Sequence, residues 1–168
     1  VTAEAYVKRG GMNRRQAGED FYFLQNLAQL GPIGEIHSTK VFPSARLSNR
    51  VPFGTGPILQ KWMEGKENLT QTYNFEAFDD LKDFFDVKHQ LYQIEKLDYK
   101  LLIMKLPLSV GNFLVEDDFW EEITDLNQNC SSLQSFQTRF FQKFNAFKIL
   151  KFLNFCHLLF YQKENLHE

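Results

Sequence analysis

The sequence predicts a predominantly α-helical fold, α+β at most, in which a short helix-loop-helix-strand portion is followed by a helical bundle. From residue 73 onward, apolar residues recur at spacings of three and four, the pattern of amphipathic helices. A single stretch, residues 35 to 42, has the β-branched and aromatic composition of a strand. The chain also contains 18 phenylalanines, enough for aromatic rings to dominate the core.

Two short helices are predicted at the start of the chain. Thr2 can cap the first helix and Gly10 ends it, because threonine accepts a hydrogen bond from an N-terminal N–H group and glycine readily closes helices. The second helix has Glu19 and Asp20 in its first turn and stops at Gly31, which a proline follows. After the strand and a loop rich in turn residues, a short helix is predicted over residues 58 to 64.

Residues 1 to 65 and 73 to 168 are predicted to be separate domains joined by a polar linker, residues 66 to 72. The second domain is expected to be all helical, with a break at Pro107. Its predicted helix starts are Asn74, Val87, Asp117 or Asp118, and Ser131 or Ser132, followed by a last helix. The inward face of the first of these helices is predicted to contain Phe75, Phe78, Leu81 and Phe85. The chain after Gln162 is expected to fray.

Charge and cysteine content exclude several classes of function. Residues 1 to 65 contain eight Lys/Arg and five Asp/Glu, a net charge of +3 that suits a phosphorylated ligand, whereas the remaining residues carry −5. Phenylalanines at helical spacing without a basic excess argue against a nucleic-acid partner. Cys130 and Cys156 have no metal-site spacing and the histidines share none, so we expect no metal site, reduced thiols and a cytoplasmic protein.

Two groups of polar residues are candidate binding or catalytic groups. Glu19 and Asp20 are favoured at a helix start by the helix dipole alone; alternatively, one of them faces a ligand cleft as a general base, with Gly10 and Gly11 letting a substrate approach the backbone. The loop from residue 43 to 57 contains Arg46 and Arg50 beside hydroxyl groups and glycines, as either a binding loop or an ordinary surface loop. The acid pairs Asp79-Asp80 and Asp117-Asp118 are interpreted as helix starts rather than metal ligands.

Taken in order, two segments resemble the acceptor-side part of bacterial family-2 glycosyltransferases of the GT-A type. The first runs from Gly10-Gly11 through a polar spacer to Glu19-Asp20, an aromatic helix and Gly31. The second is the Pro-Ser-Ala-Arg-Leu-Ser-Asn-Arg-Val-Pro-Phe-Gly-Thr-Gly run of residues 43 to 56. The resemblance covers residues 1 to 65, and residues 73 to 168 resemble more loosely the helical C-terminal extension of one branch of these enzymes.

This resemblance implies inverting transfer of a sugar from a nucleotide-diphosphate donor to an acceptor hydroxyl. Asp20 would be the catalytic base, Glu19 its orienting neighbour, Gly10 and Gly11 part of the substrate site, and Arg46 and Arg50 the groups that stabilise the leaving diphosphate.

The family's donor-binding half precedes this segment and contains an Asp-x-Asp metal motif, which these 168 residues lack. We therefore expect a C-terminal piece of a longer enzyme, inactive alone, with no cofactor of its own. The divalent metal belongs to the full-length enzyme, for which peripheral association with the inner face of the membrane is expected. The alternatives are a non-catalytic helical protein-interaction module and a regulatory domain that binds a phosphate ligand through Arg46 and Arg50.

Overall fold

The computed structural model describes residues 1–12, 18–42, 55–66 and 68–166. The chain divides into two compact units, unit 1 (Val1–Leu69) and unit 2 (Thr70–Glu168). Helices predominate in the described residues, and the one sheet among them has two strands of two residues each. The predicted fold class is therefore confirmed. No described helix has both the length and the apolar character needed to cross a lipid bilayer.

Unit 1 contains three described helices: α1 (Ala3–Lys8), α2 (Glu19–Ala28) and α3 (Thr55–Met63). The predicted cap of α1 is confirmed, because the hydroxyl of Thr2 accepts a hydrogen bond of 3.3 Å from the N–H group of Ala5. Helix α2 begins at the predicted acids. Its inward side chains, Phe23 and Leu27, are buried, and the ring of Phe23 packs against that of Tyr6 on α1.

The strand predicted over residues 35 to 42 is wrong. These residues form no strand, and Ile36, Val41 and Phe42 are between 75% and 87% exposed. A strand needs a neighbour to pair its backbone N–H and C=O groups, and the described residues of unit 1 contain no second strand. The segment has the composition of a strand but, because the described residues offer it no partner strand, forms no regular structure.

Unit 2 is a bundle of short helices closed by one small sheet. The helices are α4 (Glu76–Val87), a 3₁₀ helix (Lys88–Leu91), α5 (Lys96–Ile103), α6 (Leu108–Glu116), α7 (Phe119–Gln128), α8 (Leu133–Lys143) and α9 (Ala146–Leu159). Strands β1 (Gln71–Thr72) and β2 (Glu164–Asn165) pair antiparallel, with Gln71 opposite Asn165. The chain after Gln162, which was expected to fray, is therefore held by backbone pairing. Strand β1 lies within residues 66 to 72, which were predicted to be a linker.

Aromatic rings fill the core of unit 2, as the sequence predicts. The fully buried phenylalanines come from five helices and one helix end: Phe84, Phe113, Phe119, Phe136, Phe140, Phe144 and Phe152. Phe84 lies among them, with its ring centroid 5.4 to 6.1 Å from those of Phe119, Phe140 and Phe144. Offset and edge-on ring contacts at such distances stabilise a core beyond simple burial.

The predicted inward face of α4 is wrong in part. Phe75 and Phe78 are 68% and 41% exposed, whereas Ala77, Leu81 and Phe84 are buried. The buried positions follow the i, i+4, i+7 spacing of one helix face. Leu81 belongs to both the predicted and the observed buried face. The predicted face was displaced around the helix by about one residue, because the larger phenylalanine side chains were assumed to be buried.

The single helix predicted from residue 87 to 105 is also wrong, because the chain turns between the 3₁₀ helix and α5. The side-chain amide of Asn127 stabilises this turn: it accepts a hydrogen bond of 2.8 Å from the N–H group of Gln93 and donates one of 2.9 Å to the carbonyl of Leu91. Gln93 has a φ of 54°, which a continuing helix does not allow. Beyond Pro107, α6 is a helix that the sequence analysis did not predict.

Candidate functional site

The acidic start of α2 is the candidate site that the resemblance selects. Gly18 precedes it in the left-handed conformation, with a φ of 74°, and offers no side-chain cap. Glu19 is half-buried and Asp20 is exposed. One carboxylate oxygen of Asp20 accepts a hydrogen bond of 2.8 Å from the N–H group of Phe21. The carboxylate of Asp20 is therefore accessible to solvent at the helix start, and a hydrogen bond between one of its oxygens and the adjacent backbone N–H group fixes its position.

The glycine pair ends α1 in a Schellman turn. The N–H group of Gly11 donates to the carbonyl of Tyr6 at 2.9 Å and that of Gly10 to Val7 at 3.0 Å. Both glycines have φ values near +70°, where an L side chain is strained. A Cβ atom on Gly11 would lie 2.8 Å from the ring of Tyr6, whereas Gly10 faces open space. Of the two predicted substrate-binding glycines, only Gly10 has a free face.

Tyr6 connects the glycine turn to the acidic helix. Its ring covers Gly11 and packs edge-on against the ring of Phe23, with 5.5 Å between the centroids. Phe23 is one helical turn after Glu19. This one ring contact links the helix that ends at Gly10 and Gly11 with the helix that begins at Glu19 and Asp20. Arg46 and Arg50 lie outside the described residues.

Two further polar groups in unit 1 were not identified from the sequence. The Nε atom of Arg9 and the Oε1 atom of Gln25 are buried and have no hydrogen-bond partner within the described part of the chain. Arg9 immediately precedes the glycine turn, and Gln25 is on α2. Buried polar atoms normally have partners, so these two atoms are exceptions within the described residues. Their burial depends on tertiary packing, which no local pattern reveals.

A groove of about 620 Å³ lies elsewhere in unit 1. Leu27, Leu30 and residues 31 to 34 line it together with the start of α1. These residues are at the C-terminal end of α2, whereas Glu19 and Asp20 are at its N-terminal end. The groove does not include the predicted carboxylates and is not assigned to the site.

The acid pairs of unit 2 make structural contacts. Asp80 accepts hydrogen bonds from the hydroxyls of Ser109 and, at 2.5 Å, Tyr161, and burial together with this carboxylate raises the pKa of Tyr161 to about 12. Asp117 accepts from the ammonium groups of Lys148 and Lys151. Within the described residues, no three His, Cys, Asp or Glu side chains are placed to hold a metal ion.

The two cysteines are buried and free. Burial raises the pKa of Cys156 to about 12, which leaves its thiol protonated and unreactive at neutral pH.

Comparison of this chain with protein-family models, with curated proteins and with solved structures yields no match.

Proposed function

We propose that residues 1 to 65 are the acceptor-side half of an inverting glycosyltransferase that uses a nucleotide-diphosphate sugar. The observation that carries the proposal is the exposed carboxylate of Asp20 at a helix start without a side-chain cap, in the same unit as the open glycine face of Gly10. The two motifs at residues 10 to 31 and 43 to 56 also support the proposal, because they follow one another in the order that the resemblance to the glycosyltransferases implies.

In the proposed reaction, the carboxylate of Asp20 takes the proton of the acceptor hydroxyl while the hydroxyl oxygen attacks the anomeric carbon of the donor. The new carbon–oxygen bond forms as the bond from that carbon to the diphosphate breaks, and the electron pair leaves with the diphosphate. The carboxylate oxygen of Asp20 that does not bind Phe21 is free to take this proton. The half-buried Glu19 orients the acceptor.

The guanidinium groups of Arg46 and Arg50 are proposed to receive the charge that develops on the diphosphate. Arginine suits this task because its planar fork binds two phosphate oxygens at once. A divalent metal would supply further charge neutralisation, but no group of metal ligands is present among the described residues, so no step is assigned to it.

Titration of a longer protein that contains this chain together with a donor-binding half tests the ligand class. A nucleoside-diphosphate sugar is expected to bind more tightly than inorganic phosphate, and replacing both arginines with glutamine is expected to weaken it at least tenfold, since charge-assisted hydrogen bonds each contribute about 1.5–3 kcal/mol. Equal affinity for phosphate and for the nucleotide sugar would favour the phosphate-binding regulatory domain instead. Replacement of Lys40 and Lys61 with glutamine, the same loss of charge in unit 1, is the matched control.

A further inference from the structure

Helix α5 is apolar on two opposite faces. Tyr99 and Ile103 point inward and are buried, whereas Leu97, Leu101 and Met104 are 70%, 49% and 80% exposed. The exposed residues are spaced i, i+4, i+7, so they share one face of the helix, opposite the buried pair. We refer to these three side chains as the α5 stripe. A helix at the surface of a protein normally has a polar outer face, so the stripe is suited to contact something apolar.

The apolar surface continues beside the stripe. Met104 and Val115, which is 68% exposed, line the same open pocket of about 440 Å³. Aliphatic and aromatic groups make up most of its wall, including Leu114 and Trp120. Leu108, at the start of α6, is 78% exposed. The outer side of α5 and α6 therefore offers several aliphatic side chains to solvent.

Lysines flank this stripe. Helical spacing places Lys96 and Lys100 along one edge of it and Asp98 along the other, and Lys105 follows in the turn after α5. All three lysines are exposed, and the ion pairs found among the described residues do not include them. Lys96 instead lies over the ring of Trp120, 5.9 Å from its centroid. Three lysines and Asp98 thus border the stripe, while Glu95 precedes α5 and Asp118 lines the neighbouring pocket.

We propose that the α5 stripe docks on the surface of an anionic lipid bilayer. Aliphatic side chains bordered by lysines match both parts of such a surface: the leucines and Met104 enter the boundary between headgroups and acyl chains, and the lysines meet the lipid phosphates.

A protein partner fits this face less well. A stable protein interface buries about 800 Å² on each partner, more than a handful of aliphatic side chains supplies. The three side chains of the stripe themselves include no Trp, Tyr or Arg, the residues that dominate protein interfaces. The proposal does not depend on the glycosyltransferase assignment, because the stripe belongs to unit 2 and needs no catalysis.

Sedimentation of the 168-residue chain with vesicles tests the proposal. Binding is expected to vesicles of equal parts phosphatidylcholine and phosphatidylglycerol, with much weaker binding to phosphatidylcholine alone. Replacing Lys96 and Lys100 with glutamine is expected to lower partitioning about fivefold for each lysine. Replacing Leu97 and Met104 with glutamine should lower it roughly tenfold or more, because their apolar groups no longer enter the bilayer.

The matched control replaces Phe75 and Leu158 with glutamine. These side chains are 68% and 80% exposed, close to the values for Leu97 and Met104, so each pair can be changed without opening the core. Circular dichroism of both variants checks that they are folded. Equal binding to the two kinds of vesicle, or equal loss in the control, would overturn the proposal. So would self-association that disappears with the stripe variant while vesicles are not bound.

Discussion

Asp117 shows how a single residue in this protein acquires a structural role. Its side chain is 7% exposed and contacts two lysines, of which Lys148 is 11% exposed and also pairs with Glu122. Burial acts to raise the pKa of Asp117, but its hydrogen bonds to Lys148 and Lys151 outweigh burial and leave the pKa below its ordinary value. The same charges make this acid unsuitable as a free metal ligand, although its sequence pattern invites that interpretation.

Replacing Asp117 with Asn is expected to lower the free energy of unfolding of unit 2 by about 1.5–3 kcal/mol at neutral pH, since it removes the charge-assisted hydrogen bonds of Lys148 and Lys151 and leaves Lys148 with Glu122 alone. Because the pKa of Asp117 is lower in the folded state, its contribution is complete above the unfolded pKa of about 4 and is lost as pH falls through the folded value. The difference between wild type and variant should therefore shrink in acid. Urea unfolding followed by Trp120 fluorescence, in a Trp62→Phe background, measures it.

The control for this prediction is the exposed ion pair of Asp125 and Lys143, which are 54% and 35% exposed and 2.6 Å apart. Replacing Asp125 with Asn should cost less than about 1 kcal/mol. Similar losses at the two aspartates would show that Asp117 is not a buried, paired charge.

At the scale of the helix, local chemistry determined where elements begin, and tertiary contacts determined which face they bury. The predicted starts near Asn74 and Ser132 agree with the structure because a cap needs only the next few residues: the side chain of Asn74 accepts from Glu76 at 2.8 Å, and Ser132 forms a reciprocal capping box with Ser135. The predicted start at Asp118 also agrees, but its side chain makes no capping hydrogen bond.

Other features depended on residues far along the chain and could not be predicted locally. The break before α5 needs Asn127, 34 positions after Gln93. The strand predicted near Val41 does not form, because the described residues of unit 1 contain no strand with which it could pair. Helix α6 begins directly after Pro107 in a largely apolar stretch without a capping side chain, so no local signal predicted its start. In unit 1, the glycines and acids were visible as local signals, whereas the burial of polar atoms of Arg9 and Gln25 was not.

The rotation of α4 gives a direct test at this scale. Phe84 is completely buried, so replacing it with Ala is expected to destabilise unit 2 by about 3–5 kcal/mol through loss of apolar contact and creation of a cavity. Phe78 is 41% exposed, and the same change there should cost about 1 kcal/mol or less. Urea unfolding of both variants measures the difference. A larger loss of unfolding free energy for the Phe78 variant than for the Phe84 variant would support the buried face that was predicted from the sequence.

At the scale of the whole molecule, the two units differ in the buried apolar residues that the structure describes. Unit 2 has a continuous core of buried aliphatic and aromatic residues, whereas the buried apolar residues described in unit 1 are Phe23 and Leu27. The proposed division is that unit 1 supplies the acceptor side of the reaction and unit 2 holds the protein at a lipid surface.

The most direct measurement of the central claim is the rate of sugar transfer by a full-length protein that contains this chain, compared between Asp20→Asn and Asp79→Asn. Both acids are exposed and lie in the first turn of a helix, so loss of a favourable charge at a helix start affects the two variants alike. If Asp20 is the base, its variant should lose about 100-fold or more in kcat, with the KM for the nucleotide sugar little changed, while Asp79→Asn transfers at the wild-type rate. Wild-type transfer by the Asp20 variant, or an equal loss in both variants, would contradict the assignment.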